Sequence, residues 1–360
     1  MIVTTADSEY GLDFVAPIRE FLDRRLAPES HRRLLAEGGW DPGFMAELVE
    51  LGWSDLTRPE ARDGLGVGLP AVRGLAELLG ERLVPGPLAE QLVLQALLDV
   101  PSGSLLAFAD PAITEDWAAD AGSLDLTGTT LDGTVELVRF GAQADHLVVV
   151  ARTGRNGTAV VLLPADAPSV VLTELRSADP TSHYARLTVD RHAITDDEVL
   201  VAGDDAEPLL ARVRTWLRLF ASCELAGIAR RMLADTVSYA GQREQFDRKI
   251  GSFQAVKHII AGMAQASISL EALCEATVDD VAGDDTDIEL AGWTVKAYAA
   301  RTARAVCEDA LQVHGGIGFT TEYDLHWYLR RALALQTWYG DEHELTNLIG
   351  ARRLSGRGAA

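Results

Sequence analysis

Three short stretches near the C-terminal end concentrate the residue types that do chemistry. "GQREQFDRKIGSFQ" carries Arg243, and a planar guanidinium pairs well with phosphate oxygens. "ALQVHGGIGF" carries Gly315 and Gly316 after Gln312, and glycine lets bare backbone approach a ligand closely. "QTWYGDEHELTNLIG" gathers Asp341, Glu342 and Glu344, carboxylates of the kind that serve as general bases. Each stretch also has a plainer reading. Arg243 alone reads as a solvated arginine at a helix end, and His-Gly-Gly as a helix C-cap. The acids of "GDEHE" fit a helix N-terminus, where the backbone dipole favours negative charge.

Other reactive residue types point to less. The eight histidines are scattered without metal-ligand spacing. His314 and His343 fall inside the stretches above and read as structural or surface residues. Cys223, Cys274 and Cys307 are far apart and show no CxxC spacing, so neither a zinc site nor a disulfide framework is expected. They read as buried thiols. Arg330 and Arg331 read as ligand contacts, interface residues or a solvated helix face.

Helices and a sheet must position these residues. Residues 1–102 read as helical. "LDFVAPIREFLDRRLAP" places Phe14, Ile18, Phe21 and Leu22 at helical spacing. "DPGFMAELVELGW" opens with an Asp-Pro helix start, "RPEARDGLGVGLP" is a loop, and "AVRGLAELLGERL" resumes the helical period. Residues 103–205 change to short β-branched runs. Asp132-Gly133 and Asn156-Gly157 punctuate them as hairpin signals, which predicts an antiparallel β domain. Residues 206–360 return to long amphipathic runs, with Val213, Leu217, Phe220 and Ile228 on one stripe. Four such runs with short connections predict a four-helix bundle. The expected class is therefore α+β and multidomain, mostly α.

The formal net charge is −22, and such a surface repels nucleic acid and anionic membranes. Any anionic ligand would need local Lys or Arg. No basic-then-apolar leader opens the chain and no run of 18 apolar residues occurs in it. A reduced, cytoplasmic protein that spans no membrane is expected.

The stretches quoted above, taken with their flanks, resemble the acyl-CoA dehydrogenases. "YAGQREQFDRKIGSFQAVKHIIAGMA" resembles the family's R-x-Q-F-x-x-x-I-x-x-F-Q signature. "ALQVHGGIGFTTEYDLHWYLRRA" resembles its Q-x-x-G-G-x-G-F segment and the helix after it. "LGW…RPE…GLGVG" and "AELLGERLVPGP" resemble its N-terminal domain. The resemblance implies FAD, an acyl-CoA thioester substrate, a dimer or tetramer, and an electron-transfer flavoprotein as acceptor. It also implies a cofactor lying across a subunit interface.

The resemblance divides the site in two. On the side facing a neighbouring subunit's FAD, it implies that Arg243 meets the pyrophosphate. Gln245, Phe246, Gln312, Gly315 and Gly316 complete that face. On the side of the chain's own flavin the pattern is degraded. The family's T-E-P-G-A-G-S-D loop falls on "FADPAITED", which keeps Asp110 and Pro111 but loses the glycines. Its W-I-T/S strand falls on "LVRFG", placing Leu137 and Arg139 at the tryptophan and hydroxyl positions. A long cation there should clash with a flavin or turn away. The two positions for the catalytic carboxylate fall on Gly340 and Leu217. Asp341 is the nearest substitute base, with Glu342, Glu344 and Glu224 behind it. The chain resembles the actinobacterial type of these proteins, several of which pair a competent chain with a degenerate one, often to desaturate bulky acyl-CoA such as steroid side-chain thioesters. This predicts a supporting subunit in a heterotetramer. The alternatives are an active homo-oligomer using Asp341 and a flavin-free binding or scaffold protein.

Overall fold

The structure, a computed structural model, describes residues 15–53, 55–113, 122–154, 157–283 and 287–355. Phe14, Asn156 and residues 114–116 of "FADPAITED" lie outside the described residues. Five helices come first: α1 (Val15–Arg25), α2 (Pro28–Ala36), α3 (Pro42–Glu50), α4 (Arg73–Glu81) and α5 (Leu88–Leu97). Eight strands follow: β1 (Leu106–Ala109), β2 (Gly122–Thr127), β3 (Thr130–Arg139), β4 (His146–Thr153), β5 (Gly157–Pro164), β6 (Val170–Leu175), β7 (Tyr184–Ala193) and β8 (Val199–Ala202). Then come α6 (Ala206–Gln242), the short strands β9 (Glu244–Gln245) and β10 (Arg248–Lys249), α7 (Gln254–Ala282), α8 (Ile288–His314), α9 (Leu325–Thr337) and α10 (Glu342–Ser355). The four expected C-terminal helices are α6 to α9, and α10 is a fifth.

The chain forms two compact units, each drawn from separated stretches. One takes Met1–Arg33, Pro70–Val84 and Arg218–Ala360, and the other Leu34–Leu69 and Pro85–Leu217.

The first unit is helical. A Cβ on Gly80 would lie 1.9 Å from the Glu224 carbonyl oxygen, and one on Gly227 would lie 1.9 Å from that of Glu77. Helices α4 and α6 therefore meet backbone to backbone. Beside this crossing, Arg230 of α6 reaches Glu77 at 2.9 Å and Glu81 at 2.8 Å, while Arg19 of α1 reaches Glu81 at 2.7 Å. Helix α7 is long and apolar enough by composition to cross a membrane. One face of it, with Met263, Ser267, Leu270, Cys274 and Val278, is buried within the protein, and 22% of its apolar window is buried. Asp287 accepts from the Leu290 N–H and caps α8.

The second unit is built on the eight-stranded sheet, ordered β6-β7-β3-β2-β4-β5-β8 with β1 also on β4. Pairing is antiparallel except that β1 and β2 both lie parallel to β4 along successive parts of its length; β2 pairs antiparallel with β3. One side holds the core, where Leu124, Leu131, Val135, Leu147, Val149, Val161 and Leu187 pack. Helix α5 is tied to β1 by Gln91, whose amide donates to the Leu106 carbonyl at 2.7 Å and accepts from its N–H at 3.2 Å. Asp132-Gly133 is not the hairpin turn its sequence suggests. The β2–β3 register pairs Thr127 with Thr130, so the turn falls at Gly128 and Thr129. Gly133 lies inside β3 at a register shift, where a Cβ would sit 2.1 Å from the Ser123 carbonyl. That glycine marks a bulge and a close strand approach.

Candidate cofactor-binding site

Helix α6 ends with the Arg243 N–H on the Tyr239 carbonyl at 2.8 Å. The chain then doubles back through β9 and β10, with Gln245 opposite Arg248. Phe246 and Asp247 at the tip have φ of 54° and 58°, the two positive values a tight hairpin turn needs. Phe246 is 86% exposed. Its ring meets Phe253 edge-on at 6.2 Å, and the Arg248 guanidinium lies 3.8 Å over the same Phe253 ring. Arg243 and Gln245 are exposed.

Helix α8 ends at Gly315, with φ of 64°. A Cβ on Gly315 or Gly316 would meet nothing within 4 Å, so this backbone is open to a neighbour. Gln312 is exposed one turn earlier. The Tyr239 ring stacks on His314 at 4.3 Å, and the Tyr239 hydroxyl donates to the His314 carbonyl at 3.5 Å. This stack joins the end of α6 to the end of α8. It brings the Arg243 hairpin and the Gly315–Gly316 turn to one end of the helical unit.

The acidic stretch is organised differently. Asp341 Oδ1 accepts from the His343 N–H at 2.6 Å and the Glu344 N–H at 2.9 Å. The side chain thus caps α10, and Glu342 lies 3.6 Å from Arg301. In the turn before it, Tyr339 and Gly340 have φ of 68° and 103°. A Cβ on Gly340 would lie 2.8 Å from Leu345 Cδ2. Position 340 therefore resists any side chain, by backbone conformation and by space.

Two buried cations hold that turn, and the sequence reading missed both. Arg218 of α6 donates from Nε to the Tyr339 carbonyl at 3.0 Å. Lys296 of α8 is fully buried, and its Nζ donates to the carbonyls of Gln336 and Gly340, each at 3.0 Å. The available signal was a lone lysine inside the apolar run "AGWTVKAYAA". Burial, and then the charge of Arg218, push Lys296 down to about 7, against the pull of Asp341 and Glu344. A neutral amine still has two N–H groups for the two carbonyls.

This shift fixes a pH dependence. Unfolded, a lysine titrates near its ordinary value of about 10.4. Between about pH 7 and 10 the unfolded chain therefore binds more protons at Lys296 than the folded chain. Stability from this group rises with pH across that window, by at most about 1.4 kcal/mol per unit, and is flat below it. Urea unfolding at pH 7 and pH 9 should show wild type gaining stability relative to Lys296→Met. An unchanged difference would mean that Lys296 is not titrating there.

Three more ion pairs account for other expected site residues. Arg331 and Glu224 lie 2.7 Å apart, with side chains 1% and 4% exposed. Arg331 is thus a core residue of the helical unit, not a solvated or ligand-facing arginine. Its neighbour Arg330 is exposed and lies over Trp327. In the sheet unit, Arg139 turns inward, 2.7 Å from Glu90 of α5, and both are buried. Asp110 is also buried and takes two hydrogen bonds from Arg214, at 2.6 and 3.2 Å. Among the described residues no cluster of His, Cys, Asp and Glu could hold a metal, and the three cysteines are free and buried.

Residues 212–354 match the family "Acyl-CoA dehydrogenase, C-terminal domain". The chain is 33% identical over 314 residues to acyl-CoA dehydrogenase FadE34 of Mycobacterium tuberculosis, covering 84% of this chain but only 40% of that protein. It is 28% identical over 358 residues to FadE27 of the same organism, covering 90% of this chain and 92% of that one. Among solved structures, it superimposes on a chain of the ChsE4-ChsE5 complex from M. tuberculosis with a TM-score of 0.85. That match has 26% identity and covers 97% of this chain and 98% of the other.

Proposed function

Because this chain belongs to the acyl-CoA dehydrogenase family, we propose that it is the supporting subunit of a heteromeric, FAD-dependent acyl-CoA dehydrogenase. Its bundle end completes the adenine and pyrophosphate side of a partner subunit's FAD site. The partner supplies the base that takes the α proton of the acyl thioester. FAD, when bound, supplies the acceptor for the β hydrogen and its electrons.

The observation that carries this reading is the turn at Tyr339–Asp341. The position that the family fills with a base is Gly340, at φ 103° and with Leu345 against its would-be Cβ. The second base position, Leu217, is a buried apolar residue. The neighbouring carboxylate of Asp341 accepts from two backbone N–H groups and serves as the cap of α10.

The fit to FAD is one-sided. At the bundle end, Arg243 offers a guanidinium for phosphate, Gln245 and Gln312 offer amides, and Gly315 and Gly316 offer uncovered backbone. These residues would hold and orient the dinucleotide portion. At the end of β3 the family's flavin-side hydroxyl is replaced by Arg139, and that cation is committed to Glu90. Nothing at that position is offered to a flavin. The solved ChsE4-ChsE5 structure is a complex of two differently named chains, which supports a heteromeric reading for this one. A bulky acyl thioester, such as that of a steroid side chain, is the proposed substrate class.

Asp341→Asn tests the assignment. Asparagine is as good a cap as aspartate, so α10 should persist while basicity is lost. The assembly formed with a base-bearing partner chain should keep turnover within a few-fold of wild type. A loss of about a hundredfold or more, the scale of a missing general base, would make Asp341 the base and this chain a competent enzyme.

A further inference from the structure

The chain has three lysines, Lys249, Lys257 and Lys296, and their situations differ sharply. Lys296 is fully buried with its amine on two carbonyls. Lys249 in β10 and Lys257 in the first turn of α7 are both exposed. Both belong to the compact segment 243–258. That segment is held together by the Ile250 N–H on the Arg243 carbonyl, the Lys257 N–H on the Phe253 carbonyl and Arg248 over Phe253. It presents Arg243, Arg248, Lys249 and Lys257 to solvent against Glu244 and Asp247. A chain of net charge −22 is therefore locally positive here.

We propose that Lys249 and Lys257 are acylation sites for acyl thioesters, and that their acylation discharges this face and weakens cofactor retention by the assembly. The inference rests on the functional reading above, which supplies both the thioester and the role of the face. In the step, the lysine nitrogen attacks the thioester carbonyl carbon. The ammonium first gives one proton to water; the neutral amine then forms the C–N bond, the C–S bond breaks, and the second proton lost from nitrogen ends on the leaving thiolate. The products are an amide, a free thiol and one proton in solution, with no electron transfer. Each event removes one positive charge. Acylation of both lysines leaves two arginines facing two carboxylates, so the segment becomes neutral. The arginines stay protonated and are not acylated. The only other lysine is sealed in the core, so lysine acylation can fall only on this face.

The test has two arms. In the first, the full chain is incubated with butyryl-CoA at pH 8 and digested, and its peptides are weighed. Acyl mass should appear on Lys249 and Lys257 and not on Lys296. In the second, Lys249→Gln/Lys257→Gln and Lys249→Arg/Lys257→Arg are co-expressed with the partner chain. The glutamine pair should lower the flavin retained through gel filtration by about three- to tenfold, on the scale of two lost surface charge interactions. The arginine pair should stay within twofold of wild type. Unmodified Lys249 and Lys257, or a glutamine pair that retains flavin like wild type, would overturn the proposal. If the wild-type assembly holds no flavin, the functional reading falls, and the peptide masses still decide whether these lysines are acylation sites.

Discussion

Gly227→Ala should lower the stability of the helical unit by more than about 3 kcal/mol, at or beyond the upper end for overpacking a well-packed core. The reason is geometric. The added methyl would sit 1.9 Å from the Glu77 carbonyl oxygen and 2.8 Å from the Glu81 nitrogen. Both are backbone atoms, so no side chain can rotate aside. Relief would require α4 and α6 to part, and that would open Gly80 against Glu224 and pull Arg230 from Glu77 and Glu81. Urea unfolding followed by circular dichroism checks this. A variant within about 1 kcal/mol of wild type would mean that the helices cross less tightly than described.

Arg331→Met should cost about 3 to 5 kcal/mol, the range for breaking a buried ion pair from one side. Glu224, 4% exposed, would be left as a buried carboxylate without its guanidinium. The double variant Arg331→Met/Glu224→Leu should recover most of that loss, because the cost lies in the stranded charge rather than in the missing attraction. If the double variant is as unstable as the two single changes summed, Arg331 works through other contacts and the pair is not the main term.

The sequence reveals the frame of this protein through periodicity. Apolar residues at helical spacing mark α3, α4 and the long helices from α6 onward, and β-branched runs mark the sheet. Periodicity cannot report which charge a neighbouring element covers. Arg331 sits in a helix beside exposed Arg330 and looks like half of a solvated pair, yet its partner is Glu224, 107 positions away. The partners of Lys296 and Arg218 were hidden for the same reason, since these acceptors are carbonyls of a distant turn. Gly133 shows the converse error, where a short-range turn signal was overridden by strand pairing. The candidate site's motifs were legible where they lie along contiguous segments, as with the Arg243 hairpin and the Gly315–Gly316 turn. Their meeting at one end of the bundle was not, because it depends on Tyr239 stacking against His314.

The central claim is that this chain supports a partner's cofactor and holds little of its own. Flavin per chain, measured by absorbance after gel filtration, tests it most directly. The chain expressed alone should carry far less than one FAD. Co-expressed with a base-bearing partner it should carry about one FAD for every two chains. Arg243→Ala in this chain should then weaken retention by roughly tenfold or more, the worth of a charge-assisted phosphate contact of about 1.5 to 3 kcal/mol. A homo-oligomer of this chain alone that keeps one tightly bound FAD per chain would contradict the account.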